Sequence, residues 1–166
     1  EATGRSEQAE TIVAETEALI AGQQERLQPY LDKQVAVAYF WFDQFFVNGE
    51  DAPIGRVLAD YGMDVISPGT APAGEIDVLS LEQINMVDSA DIIIAADFLP
   101  DQTAAQESSE LYRALPAVQN GGYVLLSPEM AQALYLESAL SMQWAIPRLV
   151  DAVIEGAEGR GKTLDE

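Results

Sequence analysis

The chain has 166 residues, 28 of them acidic and 8 basic, for a formal net charge of −20, and 48% of it is hydrophobic. That length and apolar content predict one globular domain with a full core, while so acidic a surface repels phosphate backbones and anionic membranes and excludes nucleic acid as the expected partner. With no cysteine and no histidine, disulfides, thiolate or histidine metal sites and a histidine general base are excluded as well.

From Ser6 to Leu27, Ile12, Val13, Leu19, Ile20 and Leu27 recur at three and four positions among Glu and Gln, which predicts an amphipathic helix that Pro29 ends. QVAVAYFW, residues 34–41, is apolar almost throughout and reads as a strand buried on both faces. Asn48-Gly49 turns the chain, and Ala52 to Tyr61 places Ile54, Val57, Leu58 and Tyr61 on one helical face, with Gly62 as a left-handed C-cap. MDVIS is a second short strand, and the Gly/Pro/Ala-rich segment from Pro68 to Leu79 reads as an exposed loop. Ser80 and Gln83 form a capping-box pattern for a short helix through Val87. ADIIIAA, residues 90–96, is the clearest buried strand; a helical pattern runs from Asp101 to about Arg113, LPAV connects, and Gly121-Gly122 leads into the strand YVLLS. Pro128 to Gly156 is mostly helical, and Pro147 either kinks that helix or begins its last piece. No apolar run reaches the ~18 residues of a membrane span, and the opening EATGRSEQAE has no signal-peptide pattern and reads as the interior of a longer sequence.

This order predicts an α/β fold: a small doubly wound, mostly parallel sheet of about four strands with helices on both faces. Ligands of such sheets bind beyond the carboxyl ends of the strands. There the sequence gathers aromatic rings: Tyr39, Trp41, Phe42, Phe45 and Phe46 at or past the first strand and Phe98 past the third. Strand alternation accounts for some as core, either Tyr39 with Trp41 or Phe40 with Phe42. Phe45 and Phe46 fall in an expected loop, where exposed rings mark a ligand or partner surface. Asp43, Asp97 and Asp101 lie near the same edge and carry the alternative reading, a metal-dependent enzyme or regulatory domain; an acidic surface also produces such carboxylates. No G-x-S-x-G is present, and GEDAPIGR, PGTAPAG and GAEGRGK match no phosphate-loop pattern. Glu82 reads either as an acid on a helix N-terminus or as a docking contact for a basic partner.

The stretch VLSLEQINMVDSADIIIAA, followed by ELYRALPAVQNGGYVLLS, resembles the C-terminal lobe of the substrate-binding proteins of iron-siderophore ABC importers, a group that includes ferrichrome, cobalamin and haem binders. Ser80, Glu82, Asp91 to Ile94, Leu115 to Val118 and Gly121 to Leu125 occupy the family's motif positions; Ile84 and Pro147 depart from its usual residues. The resemblance implies that residues 1–30 form the helix bridging two lobes and 31–166 the C-terminal α/β lobe, which is half of the family's usual protein. It implies a binding protein without catalysis or intrinsic cofactor, whose transported ligand is a ferric siderophore-type chelate. It further implies a monomer, exported as a periplasmic or cell-surface lipoprotein, that delivers its cargo to an ABC permease. On this reading Tyr39, Trp41, Phe42, Phe45, Phe46 and Phe98 face the ligand, with Tyr135 and Trp144 as further rings, and Glu82 pairs with an Arg of the permease. Arg56, Arg113 and Arg148 are the side chains placed to counter an anionic chelate, Arg113 being the one assigned to the ligand.

Overall fold

The computed structural model describes residues 6–42, 44–72, 75–136 and 138–164. Helix α1 (Ser6–Leu27) leads to strand β1 (Gln34–Trp41), which turns directly into β2 (Gln44–Asn48). Helix α2 (Pro53–Asp60), β3 (Asp64–Val65) and β4 (Asp77–Ser80) follow, then a 3-10 segment (Leu81–Val87) and β5 (Ile92–Ala96). Short helices α3 (Pro100–Glu107), α4 (Glu110–Arg113) and α5 (Pro116–Gln119) precede β6 (Tyr123–Leu126), and α6 (Pro128–Tyr135) and α7 (Ala139–Ala157) close the fold.

Among the described residues the sheet has six strands in the order β4-β2-β1-β5-β6, with β3 pairing the start of β1. β1 runs parallel to β3 and β5, and β5 to β6, whereas β2 is antiparallel to both β1 and β4. The α/β class and the four expected strands are present, but the sheet is mixed. Two strands were not expected: β2, read as loop, and β4, read as the end of the Pro68–Leu79 loop. Their sequences, QFFVN and DVLS, are short and lie beside turn residues, so pairing to a neighbour rather than local pattern makes them strands. The segment after Ser80 is a 3-10 helix, not an α-helix, and LPAV contributes to a helical turn.

Side-chain alternation distributes the core. Val35 and Val37 of β1 join Ile92, Ile94, Val124 and Leu126 on one face, under α1, α2, α6 and α7. Ala36, Ala38 and Phe40 point to the other face and meet Ile93, Tyr123 and Tyr112, covered by the 3-10 segment and α4–α5. On the first face α1 lies parallel to α7: Leu27 is buried in the core, Gln143 Nε2 donates to Thr16 Oγ1 at 2.9 Å, and Arg26 pairs with Asp151 at 2.6 Å. Both partners of that ion pair are exposed, so the buried leucine side holds the helix more than the charges do. Pro147 lies inside α7, which continues through it.

Gly62 has φ +89° one residue past the C-cap of α2 and donates to Ala59 O at 2.8 Å, the left-handed termination that the sequence predicts. Gly55 lets the same helix rest on the β2 turn, for a Cβ there would fall 2.1 Å from Gly49 O.

Asp77 fastens the β4 side. Its side chain is buried and accepts from Thr70 N (2.5 Å), Thr70 Oγ1 (2.8 Å), Ala71 N (2.8 Å), Ser67 Oγ (3.0 Å) and Gly69 N (3.2 Å). Desolvation raises the carboxyl pKa, but the hydrogen bonds from Thr70, Ala71, Ser67 and Gly69 outweigh it and hold the group below its ordinary value. The PGTA turn thus wraps an internal anion, and these amides are occupied.

We expect Asp77→Asn to cost at least about 2 kcal/mol of folding stability at neutral pH, since an amide cannot accept all of these bonds. Because the folded pKa is depressed, the stabilisation is fully present above the ordinary value of 3.8 and is lost as pH falls from there through the lower folded value. Urea unfolding of both proteins should therefore show the gap narrowing toward acid; a gap independent of pH would contradict the assignment.

Candidate functional site

The aromatic run is sorted by the β1–β2 ladder. Tyr39 opposes Phe46 and Phe40 opposes Phe45, so each pair shares one face of the sheet. Phe40 and Phe45 are buried on the α4 face, 4.8 Å apart between ring centroids and each edge-on to Tyr112. Phe45 is therefore core, contrary to the expectation that it faces a ligand: β2 is a strand, and its second residue alternates inward.

On the opposite face Tyr39 stacks on Phe46 at 5.0 Å with an interplanar angle of 13°. Phe98, just past β5, meets the Tyr39 ring edge-on at 5.6 Å, and Tyr135, at the end of α6, meets Phe98 at 5.3 Å. With Trp41 these rings line a concavity of about 400 Å³, within the size range of small-molecule sites. It lies at the carboxyl ends of β1 and β5. Ser127 positions the helix that brings Tyr135 here, its hydroxyl accepting from Met130 N at 3.3 Å.

Behind the rings sits Asn48, fully buried, whose Nδ2 donates to Tyr135 Oη at 2.5 Å while its Oδ1 has no partner among the described residues. Burial raises the Tyr135 pKa to about 12, with the Asn48 bond opposing and Tyr39 adding slightly; burial also raises that of Tyr39. Both phenols therefore stay protonated, and Tyr135, accepting from Asn48, keeps its own proton to donate.

Trp41 is 43% exposed and Phe42 67% exposed. Phe42 occupies the two-residue hairpin turn with φ +56°, a region that a bulky side chain enters at a cost of roughly 1–2 kcal/mol. Its amide donates to Gln102 Oε1 of α3, and its ring meets Trp41 edge-on at 5.9 Å. The strained turn thus sets the exposed Phe42 ring beside Trp41, which lines the concavity.

The other expected site residues lie elsewhere. Arg113 is on α4, its Nε donating to Glu107 O at 2.8 Å, and borders a separate hollow with Gly121 and Leu164; it does not line the aromatic concavity because α4 covers the opposite face. Trp144 is on α7 with the Arg148 guanidinium 4.5 Å from its ring centroid. Glu82 is exposed on the 3-10 segment. Asp97 accepts from Thr103 Oγ1 at 2.8 Å and Asp101 is exposed in the first turn of α3; Asp43 lies outside the described residues. Among the described residues no group of three acidic or other metal-ligating side chains is gathered, and no helix is long and apolar enough to cross a membrane. Sequence reasoning missed Asn48, which it read only as a turn residue.

No family model matches the chain, and no curated protein matches it in sequence. Solved structures do share its fold. The siderophore periplasmic binding protein from the fuscachelin gene cluster of Thermobifida fusca superposes with a TM-score of 0.74 at 20% identity, over 91% of this chain and 55% of that one. PiaA of Streptococcus pneumoniae in complex with ferrichrome gives 0.69 at 19% identity, over 94% and 55%. A periplasmic binding protein component of a Fep/Fec-like ferrichrome ABC transporter from Bacillus subtilis gives 0.74 at 19%, over 91% and 58%. The chain therefore has the fold of part of these binding proteins and spans little more than half their length.

The turn strain yields a prediction. Phe42→Gly should stabilise the fold by up to about 1 kcal/mol, because glycine adopts positive φ freely, whereas Phe42→Ala, which removes the ring but keeps the strain, should not. Thermal unfolding of the two variants decides; equal effects would mean that the turn stores no strain.

Proposed function

We propose that this chain is the C-terminal lobe of an ABC-importer substrate-binding protein and forms one wall of the cleft for a ferric siderophore-type chelate. The observation that carries this is the five-ring concavity at the carboxyl ends of the strands. A metal chelate offers a bulky, largely organic exterior with its charge at the centre, and aromatic walls with a few hydroxyl donors complement that exterior. The fold shared with siderophore-binding proteins supports the reading. On it, residues 1–30 include the helix that bridges the lobes, the protein works as an exported monomer in the periplasm or as a cell-surface lipoprotein, and binding rather than catalysis is its task.

Trp41, Tyr39, Phe46, Phe98 and Tyr135 face the ligand, and Phe42 closes the lip. Glu82 is the contact to the permease: it stands in solvent at a helix start, and Gln83 Oε1 takes the Ser80 amide at 3.1 Å, so Glu82 is not needed for the local cap. A permease Arg could pair with it while the surrounding acids add long-range attraction.

Titration of the complete natural polypeptide carrying these residues with ferric siderophores should quench tryptophan emission, and Trp41→Ala should weaken binding by at least about tenfold, or ~1.4 kcal/mol. Folding should lose less than the ~3–5 kcal/mol of a buried tryptophan; full affinity with a large stability loss would assign Trp41 to the core instead. Independently, Glu82→Ala should leave affinity intact and cost at most a few tenths of a kcal/mol in folding, yet impair uptake measured in cells at matched expression. Wild-type uptake, also when the corresponding acid of the other lobe is removed, would leave Glu82 as an ordinary helix-start residue.

A further inference from the structure

Among the described residues the concavity is lined by aromatic rings: Tyr39, Trp41, Phe46, Phe98 and Tyr135. No lysine or arginine is among them. Arg56 is exposed on α2 and is not among the lining residues, and the cations whose partners define their place sit mostly at the far end of the sheet. Lys33 pairs with Asp91 at 3.4 Å beside the start of β1, and Lys162 with Glu107 at 2.5 Å beside β6. Arg160 pairs with Glu158 past the end of α7, and Arg26 with Asp151 in its last two turns. Arg113 is on the opposite face of the sheet, and Arg148 lies on the Trp144 ring.

Carboxylates occupy the near end. Asp97 immediately precedes Phe98 at the end of β5; Asp101 and Glu129 stand in the first turns of α3 and α6, which begin at the carboxyl ends of β5 and β6. Glu129 is held below its ordinary pKa by its own backbone N–H and the Ser127 hydroxyl and is ionised at neutral pH. The polar groups at the rings themselves are neutral phenols. A ligand here therefore meets uncharged donors and apolar faces inside a negative field that a net charge of −20 extends outward.

We propose that this wall selects ferric chelates without net negative charge and disfavours anionic ones. The inference rests on the binding function proposed above and adds the charge class of the ligand to it. Three monoanionic hydroxamates cancel the charge of a ferric ion, and a pendant amine makes such a complex cationic. Three dianionic catecholates leave a trianion, which would find no cation among the described lining residues and would stand near the carboxylates of Asp97, Asp101 and Glu129. Desolvating that trianion against aromatic walls without a countercharge is unfavourable, whereas the phenol donors satisfy the exposed oxygens of an uncharged complex at little cost.

The test is calorimetric titration of the complete natural polypeptide with three ferric complexes of similar size: an uncharged trihydroxamate, a cationic amine-bearing trihydroxamate and a trianionic tris-catecholate. Each is measured at low and at high salt. The uncharged and cationic complexes should bind at least about tenfold more tightly than the trianion, and raising the salt should narrow that gap. Trp41→Lys, at an exposed position, should shift the preference toward the trianion. Equal or tighter binding of the trianion by the wild type would overturn the charge assignment and leave the binding function standing. If none of the three binds, the binding function itself fails, and the charge assignment with it.

Discussion

The structure depends on β1 being enclosed on both faces and both edges. A strand with packed neighbours on every side cannot slip by one residue, because a slip would exchange its two sets of side chains. Here that would send Phe40 toward α6 and α7 and bring Tyr39 and Trp41 into the space beside Tyr112. The small residues Ala36 and Ala38 leave room on the α4 face for the buried rings of Phe45, Tyr112 and Tyr123. The opposite register of side chains, Val35, Val37, Tyr39 and Trp41, runs from closed core to open concavity along a single face. Aromatic concavity and core are thus the two ends of one row.

The turn into β2 extends that row at an energetic cost. A two-residue hairpin needs positive φ at its first position, and the sequence places phenylalanine there instead of glycine or asparagine. The Gln102 side chain takes the Phe42 amide, and the Trp41 ring packs beside it, so the strained conformation is held from two directions. The cost of that conformation keeps an exposed ring at the turn beside Trp41.

How far the fold was legible follows from which forces are local. Periodicity sufficed for α1, α2, β1 and β5, whose patterns span eight to 22 residues or consist of unbroken apolar runs. It failed for β2 and β4 because QFFVN and DVLS become strands only through their pairing with β1 and with each other. That failure displaced Phe45: as a loop residue it looked exposed, and as the residue opposite Phe40 it is core. The placement of Trp41, Phe46 and Phe98 at one edge followed from the rule about strand ends. Tyr135 and Asn48 could not be brought together from sequence, since 87 residues separate them and only the tertiary packing of α6 beside α2 joins them. Arg113 was misplaced for a related reason: a cation near a predicted helix says nothing of which face of the sheet that helix covers.

The two borders of the sheet differ in how they are finished. At β6 the chain past α7 lies along the strand, Gly161 N donating to Gly121 O at 2.8 Å and Lys162 N to Tyr123 O at 2.6 Å. At the other border β4 has no partner beyond β2 among the described residues, and an open strand of that kind is a template for pairing with another molecule. β4 is only four residues long, and Asp77 turns its charge inward and folds the Ser67–Ala71 turn back upon itself. The same carboxylate that orders a loop therefore helps to keep a concentrated solution of this protein from growing, strand upon strand, into aggregates.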